Sequence, residues 1–119
     1  MSIMNSMNSF AKSFADRVYH VTRTIPKGRV ATYKDIAHVL GCRAYRAVGK
    51  ALNKNPYAPE VPCHRVVRSD GSLGGFANGS RKKKQLLEKE GISFTQGRIN
   101  NFEKVHYHLQ DSKTPKKTY

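Results

Sequence analysis

Two short helical patterns separated by a tight turn constrain the fold of this chain more than any other feature. The first covers residues 32–40 and begins with Thr32 and, three residues later, Asp35, which is the spacing of a capping box. The second covers residues 44–52 and has small apolar residues on one face. Gly41, between them, can adopt the left-handed conformation that ends a helix. The pair predicts a helix-turn-helix, in which the second helix often faces DNA.

Further helices are predicted on either side of this pair. Apolar residues at intervals of three and four indicate a helix over residues 9–25. Another is predicted over residues 80–90, and Gly91 would end it. The positive charges at residues 81–84 oppose the dipole at the start of that helix. They therefore either contact phosphate groups or lie in solvent.

Residues 66–73 are predicted to form a β-hairpin. Val66-Val67 and Leu73 flank a turn at residues 69–72. Such a hairpin after a helix-turn-helix would be the wing of a winged helix, so the expected fold is mainly α with a small β-hairpin. The predicted division of the chain is a flexible amino terminus, a winged helix-turn-helix domain and a basic carboxyl-terminal extension, at residues 1–8, 9–95 and 96–119.

The excess of positive charge indicates which class of molecule the chain binds. The chain has 22 Lys and Arg residues against 8 Asp and Glu, a formal net charge of +14. Neutralising phosphates releases counterions and favours such basic surfaces, so we expect a nucleic acid partner. No apolar run is long enough to cross a bilayer, and we expect no membrane partner. With two cysteines in the whole chain there is no disulfide framework, which favours an intracellular location with the DNA.

The best candidate for chemistry lies at residues 62–67. Cys63 stands beside His64, and a base near a thiol can generate the thiolate that attacks. Pro62 restricts the backbone just before the cysteine. His64 would act through a bridging water, and a carboxylate would orient its imidazole. The carboxylates that qualify by residue type are Glu60, Asp70, Glu88 and Glu90.

A structural zinc ion is the competing interpretation of these residues. Adjacent residues rarely bind the same ion, and the chain has no Cys-x-x-Cys or His-x-x-x-His pair. His106 and His108 alternate along the chain, but nothing in the sequence links them to Cys63. We therefore expect no metal and no other cofactor. Cys42, next to a helix end, is interpreted as an inert buried residue.

The ordered motifs of this chain resemble those of the O6-alkylguanine-DNA alkyltransferases. Pro62-Cys63-His64-Arg65-Val66 is similar to the active-site signature of that family. Segments similar to its other motifs follow the family's order and spacing, at residues 25–37, 45–52, 55–56 and 87–91. The resemblance covers residues 14–95 and implies DNA repair by stoichiometric transfer. The protein would bind duplex DNA through the minor groove, rotate O6-alkylguanine out of the stack and move the alkyl group to its own cysteine.

The resemblance also implies roles for individual residues. Cys63 would accept the alkyl group, His64 would generate its thiolate through water, and Glu90 would orient His64. Asn55 would brace the active-site turn through hydrogen bonds to the backbone. Tyr33 would help to rotate the nucleotide, and its hydroxyl would serve the departing guanine.

The implied DNA contacts centre on the second helix of the helix-turn-helix. The planar guanidinium of Arg46 would fill the gap left by the rotated base. The other expected DNA contacts are Thr32, Tyr33, Arg43, Ala44, Lys50 and Arg65. The expected lining of the guanine pocket is Tyr33, Val66, Phe76 and Ala77. Phe76 stands where many members of the family have tyrosine.

Two other functions compete with transfer. Alkyltransferase-like proteins bind alkylated guanine without removing the alkyl group, and they usually replace the acceptor cysteine, often with tryptophan. This chain keeps Cys63 and has no tryptophan. A winged-helix regulator with a redox-sensing cysteine would explain the charge but not the ordered set of Asn55, Cys63, His64 and Glu90. We therefore expect a single-turnover transferase, acting as a monomer or cooperatively on DNA, that matches only the carboxyl-terminal domain of many family members.

Overall fold

A computed structural model describes residues 13–74 and 80–109. Within these residues the helices are α1 (Phe14–Thr22), α2 (Tyr33–Val39), α3 (Tyr45–Asn53), α4 (Ser80–Lys89) and α5 (Phe102–Val105). The strands each have two residues and are β1 (Ala31–Thr32), β2 (Val66–Val67), β3 (Phe94–Thr95) and β4 (Arg98–Ile99). A 3-10 turn, Cys63–Arg65, directly precedes β2.

Local sequence signals fix the ends of the first helices. Capping boxes open both α1, through Ser13 and Asp16, and α2, through Thr32 and Asp35, so the predicted start of α2 is confirmed. Gly41 follows α2 with a φ of +77°, as its predicted role at the helix end requires. The prediction that α1 extends to residue 25 is wrong. The chain turns after Thr22, and that turn carries the Ile25 side chain into the core, where it is 1% exposed.

The predicted helix-turn-helix is confirmed as α2 and α3. Both helices pack against each other and against α1. The buried face of α3 consists of Val48, Ala51 and Leu52. The hydroxyl of Tyr19 on α1 donates a 2.7 Å hydrogen bond to the carbonyl of Ala51, which ties α1 to the second helix of the pair. The opposite face of α3 is therefore left for solvent or a partner.

The strand β2 does not form the predicted hairpin with Leu73. It pairs in parallel with β1, with Ala31 opposite Val66 and Thr32 opposite Val67. Val66 and Val67 are both fully buried, and a strand covered on both faces suits a parallel pairing between buried elements. The turn at residues 69–72 does form, but the antiparallel hairpin of the structure is β3–β4.

The carboxyl-terminal segment, up to Leu109, packs on this domain. The backbone N–H of Val30 donates to the carbonyl of Val105, and the N–H of Tyr107 donates to the carbonyl of Val30. The guanidinium of Arg29 donates to the carbonyls of Val105 and His106. These bonds place the segment beside β1. The predicted domain boundary after residue 95 falls inside the β3–β4 hairpin.

Helix α4 packs against the 3-10 turn. Leu87 is fully buried in a second apolar cluster, which it forms with Val30, Val67, Ile92 and Ile99. Gly91, with a φ of +95°, ends the helix as predicted. Among the described residues, no helix has the length and apolar character needed to span a membrane.

Candidate functional site

Cys63 is the first residue of the 3-10 turn, and the loop before it is held by hydrogen bonds from Asn55. The amide nitrogen of Asn55 donates a 2.8 Å hydrogen bond to the carbonyl of Val61, and its oxygen accepts one of 2.8 Å from the N–H of Tyr57. The N–H of Cys63 in turn donates to the carbonyl of Val61. Cys63 is 6% exposed. The side chain of Asn55 therefore holds the backbone that positions the thiol.

His64, the next residue, is paired with Glu90. Its Nε2 lies 2.8 Å from Oε2 of Glu90, and both side chains are more than nine-tenths buried. Burial lowers the pKa of His64, even though the hydrogen bond to Glu90 acts in the opposite direction. The imidazole is therefore neutral near pH 7. Since an ionised carboxylate can only accept, Nε2 carries the ring proton and Nδ1 is left with the lone pair of a base.

Several hydrogen-bond donors contact the carboxylate of Glu90 and stabilise its ionised form. Its Oε1 accepts from the N–H of Gly28 at 3.1 Å and from Nε of Arg65 at 3.0 Å, and its Oε2 accepts from Nη2 of Arg65 at 2.8 Å. Burial alone would raise the pKa of this carboxyl. The hydrogen bonds from Arg65, His64 and Gly28 outweigh that effect and lower the pKa to about 2. Glu90 is thus a fixed anion that orients His64.

Of the carboxylates that the sequence left open, only Glu90 contacts His64 among the described residues. Glu60 and Glu88 are exposed. Asp70 accepts from the backbone and hydroxyl of Ser72, within its own turn.

The structure gives Arg65 a role inside the protein and does not favour the expected contact with DNA. Its guanidinium makes three hydrogen bonds to Glu90 and a further one, of 2.9 Å, to the carbonyl of Ile25. The side chain is 17% exposed. These hydrogen bonds commit the guanidinium of Arg65 to the buried carboxylate of the His64–Glu90 pair.

The structure restricts two further expected contacts to the backbone. Thr32 is 4% exposed, and its hydroxyl accepts from the N–H of Asp35, so this side chain caps α2 and does not face DNA. Val66 is fully buried and its side chain belongs to the core, so only its backbone is available to line the expected pocket. Phe76 and Ala77, the other expected pocket residues, lie outside the described residues.

An open groove of about 540 Å³ runs beside the helix-turn-helix. Its volume lies within the range of small-molecule sites in proteins. The lining combines aromatic, charged, polar and small residues, namely Tyr33, Lys34, Tyr45, Arg46, Gly49, Asn53, Arg68, Ser69, Asp70 and Gly74. Arg46 and Tyr33 therefore lie on one surface, as expected. Cys63 does not line this groove.

The remaining residues expected to contact DNA lie on the open side of α3 or just before it. Arg43, Ala44 and Lys50 are all exposed. Arg46 and Lys50 on α3, with Arg43 just before it, give this side of the helix-turn-helix a positive charge, and none of the three forms an ion pair within the described residues.

Lys83 is a site residue that the sequence reasoning missed. It belongs to the basic run at residues 81–84, yet it is 1% exposed. Its Nζ donates a 3.1 Å hydrogen bond to the hydroxyl of Tyr33. Burial lowers the pKa of Lys83 to about 7 and raises that of Tyr33 to about 12. The available signal was spacing, because Lys83 lies one helical turn before the core residue Leu87.

No group of three or more His, Cys, Asp or Glu side chains in residues 13–74 and 80–109 is arranged to hold a metal ion. Nε2 of His106 lies 2.7 Å from Oδ2 of Asp35, and the His106 ring lies against that of His108. These residues belong to the contact between the carboxyl-terminal segment and α2.

The family of the chain follows from comparison with known proteins. Residues 13–92 match the model of the 6-O-methylguanine DNA methyltransferase DNA-binding domain. The chain belongs to this family. The match contains every residue of the cluster formed by Asn55, Cys63, His64, Arg65, Lys83 and Glu90.

Relatives of the methyltransferase family support the assignment. A methylated-DNA–protein-cysteine methyltransferase from Sulfolobus acidocaldarius is 46% identical over 88 residues, which are 74% of this chain and 56% of that protein. The crystal structure of S. pombe Atl1 with damaged DNA containing O6-carboxymethylguanine superimposes with a TM-score of 0.70 at 32% identity, over 79% of this chain and 94% of that one.

The O6-methylguanine-DNA methyltransferase of Pyrococcus kodakaraensis superimposes with a TM-score of 0.61 at 43% identity. The alignment covers 71% of this chain and 50% of the Pyrococcus protein. The chain thus spans about half the length of the curated methyltransferases that it matches.

Proposed function

We propose that this protein repairs duplex DNA by transferring the alkyl group of O6-alkylguanine to Cys63, once per molecule. The observation that carries the proposal is the 2.8 Å contact between His64 and Glu90. His64 directly follows Cys63 on one 3-10 turn. The family assignment and the named activity of relatives support it.

The base in this reaction is the neutral imidazole of His64. Its Nδ1 takes the thiol proton of Cys63 through a bridging water, and Glu90 stabilises the imidazolium that forms. The resulting thiolate attacks the alkyl carbon, so that the S–C bond forms as the C–O6 bond breaks. The thioether that forms is chemically stable, so each molecule reacts once.

The DNA partner is recognised by charge and by the groove. Arg46 on α3 enters the duplex from the minor-groove side and replaces the rotated guanine in the stack, because a guanidinium is planar and can both stack and hydrogen-bond. Tyr33 lies in the same groove and crowds the nucleotide as it rotates. The exposed cations Arg43 and Lys50 contribute salt-dependent binding to phosphates.

The proposal is tested by the mass of the intact protein after mixing with duplex DNA that contains one O6-methylguanine. We expect the wild type to gain the mass of one methylene group. Cys63→Ser should bind the duplex and gain nothing. Cys42→Ser, the matched control at the second cysteine, should gain the same mass as the wild type.

Other outcomes separate the competing functions. Selective binding to the damaged duplex without a gain in mass would overturn transfer and identify a damage sensor. Binding that depends on sequence and ignores the lesion would identify a regulator. Either result would contradict the role given to Cys63.

A further inference from the structure

Tyr45, the first residue of α3, is an exposed aromatic side chain that the proposed reaction does not use. It is 40% exposed. Among the described residues, the other large hydrophobic side chain with comparable exposure is Tyr57, and its ring packs edge-on against that of Tyr19 with 5.6 Å between the centroids. Tyr45 has no aromatic partner of this kind in the described part of the chain. Packing within the protein therefore does not account for its ring.

The Tyr45 ring lies in the groove beside the helix-turn-helix. Tyr45, Gly49 and Asn53 all line this groove, and their spacing of four residues places them along one side of α3. Arg46 lines the groove next to them. The one described atom within 4 Å of a Cβ added at Gly49 is Cε1 of Tyr33, at 3.9 Å. The missing side chain at Gly49 thus leaves space beside the Tyr45 ring for a flat group.

A cation lies against the Tyr45 ring. Nζ of Lys34, the second residue of α2, is 5.8 Å from the ring centroid. A contact of this kind orients an exposed ring and occupies one of its faces. Lys34 also lines the groove, where its charge favours a phosphate close to the ring. The ring and the cation together suit a nucleotide, which has a flat base and a charged phosphate.

We propose that Tyr45 is an aromatic wedge, which enters the minor groove beside Arg46 and stacks on the base pair next to the rotated guanine. This inference rests on the proposed function and adds to it a contact with the base step that flanks the lesion. Side chains inserted between base steps from the minor groove partly unstack them and kink the duplex. Every base has a flat face, so the tyrosine ring stacks there without reading the sequence.

The positions of Tyr45 and Arg46 direct both side chains to the same opening in the duplex. The two residues are adjacent in the first turn of α3, and both line the groove. Arg46 fills the gap that the guanine leaves, and the Tyr45 ring stacks where this rotation has already weakened the neighbouring step. A damaged base costs less to rotate than a normal one. The wedge stabilises the opened duplex, and it therefore favours damaged over undamaged DNA.

The affinities for damaged and undamaged duplex test the wedge. In a Cys63→Ser background, which is expected to bind without transfer, fluorescence anisotropy measures the Kd of two duplexes that differ by one O6-methylguanine. We expect Tyr45→Ala to weaken binding to the damaged duplex by about tenfold or more. Binding to the undamaged duplex depends on charge and should change by less than about twofold. Tyr45→Phe, the matched control, keeps the ring and should bind both duplexes as the parent protein does.

Tyr45→Leu separates stacking from general packing. Leucine keeps an apolar side chain in the groove but has no flat ring, so this variant should bind the damaged duplex nearly as weakly as Tyr45→Ala. Urea unfolding should give the same midpoint for the variants and the parent, because the side chain at position 45 is exposed. A lower midpoint for Tyr45→Ala with unchanged selectivity for the lesion would assign Tyr45 to the packing of α3 and overturn the wedge.

The base step beside the lesion gives an independent reading. Pyrimidine–purine steps unstack easily, whereas A-tracts are stiff. The parent protein should bind a lesion flanked by a flexible step more tightly than one flanked by a stiff step, by about threefold or more. Tyr45→Ala should lose most of this preference, because it no longer opens the flanking step, and Tyr45→Phe should keep it.

Three results would overturn the wedge while leaving the proposed function intact. The first is an affinity that Tyr45→Ala leaves unchanged or reduces equally for both duplexes. The second is Tyr45→Leu binding the damaged duplex as tightly as Tyr45→Phe. The third is an undiminished preference of Tyr45→Ala for the flexible step. Absence of transfer by the wild type would instead refute the proposed function itself.

Discussion

The carboxylate of Glu90 lies 2.8 Å from Nε2 of His64 and is fixed there by Arg65 and by the backbone of Gly28. Glu90 is a buried anion, and His64 is a buried neutral imidazole. The pair therefore has one proton on the nitrogen that faces the carboxylate and a basic nitrogen on the other side of the ring. This assignment of the two nitrogens allows His64 to accept a proton from Cys63.

Replacing Glu90 by glutamine should impair transfer without impairing DNA binding. The neutral amide cannot stabilise the imidazolium of His64, so we expect the single-turnover rate at saturating O6-methylguanine duplex to fall about a hundredfold or more. Rapid quench of the reaction measures this rate, and a binding titration measures affinity. Glu88→Gln, an exposed change on the same helix, is the matched control. Equal rates for the two variants would refute the role of Glu90.

Acid should destabilise the fold partly through Glu90. The pKa of Glu90 is lowered in the folded protein from its ordinary 4.5 to about 2. The stabilisation is complete above pH 4.5 and is lost as the pH falls toward 2. Urea unfolding followed by circular dichroism should therefore show a steeper loss of unfolding free energy in the wild type than in Glu90→Gln over that range. Parallel curves would contradict the lowered pKa.

Removing the buried charge of Lys83 should stabilise the protein. The pKa of Lys83 falls from 10.5 to about 7 on folding, so the unfolded chain binds more protons between these values. The resulting penalty grows as the pH falls from 10.5 to 7 and is constant below 7. We expect Lys83→Met to raise the unfolding free energy at pH 7 by roughly 1–3 kcal/mol, allowing for the hydrogen bond lost to Tyr33.

Urea unfolding at pH 7 and at pH 10 measures this gain in stability, which should shrink at the higher pH. Lys89→Met, at an exposed position, should change neither value. A Lys83→Met protein less stable than the wild type at both pH values would show that the amine of Lys83 stabilises the fold.

Adding a methyl group at Gly74 should disturb Tyr33. The new Cβ would lie 2.7 Å from the Tyr33 hydroxyl, at a residue with a φ of +74°. Gly97→Ala is the matched control, because Gly97 has a φ of +80° and nothing within 4 Å of the added atom. Both variants should lose about 1 kcal/mol to backbone strain. Only Gly74→Ala should also slow transfer, measured as a single-turnover rate; equal rates would show that the position of Tyr33 does not limit the reaction.

Local parts of this fold were predictable from the sequence. The capping box of Thr32 and Asp35 and the helix ends at Gly41 and Gly91 depend on residues within one turn of each other. The partner of β2 was not predictable in this way. Val66-Val67 can pair with Leu73 or with β1, and only the packing of the whole domain selects the parallel partner 35 residues earlier in the chain.

The parts of the site with unusual residue chemistry were predictable from the sequence. The roles of residues that the fold buries were not. Cys63 beside His64 indicated a nucleophile, whereas the choice of Glu90 rested on the family resemblance. Arg65 was expected to contact DNA, and Lys83, within the basic run 81–84, was expected either to contact phosphate or to lie in solvent. The fold buries both, and a cation that packs against a carboxylate or a tyrosine gives no local signal of its burial.

The most direct test of the account is to map the alkyl group after reaction with an excess of O6-methylguanine duplex. The protein is digested, and the methylated peptide is identified by tandem mass spectrometry while the repaired guanine is counted. We predict one guanine repaired per protein molecule and a single methyl group on Cys63. Repair beyond one equivalent, or a methyl group on Cys42 or elsewhere, would contradict the account.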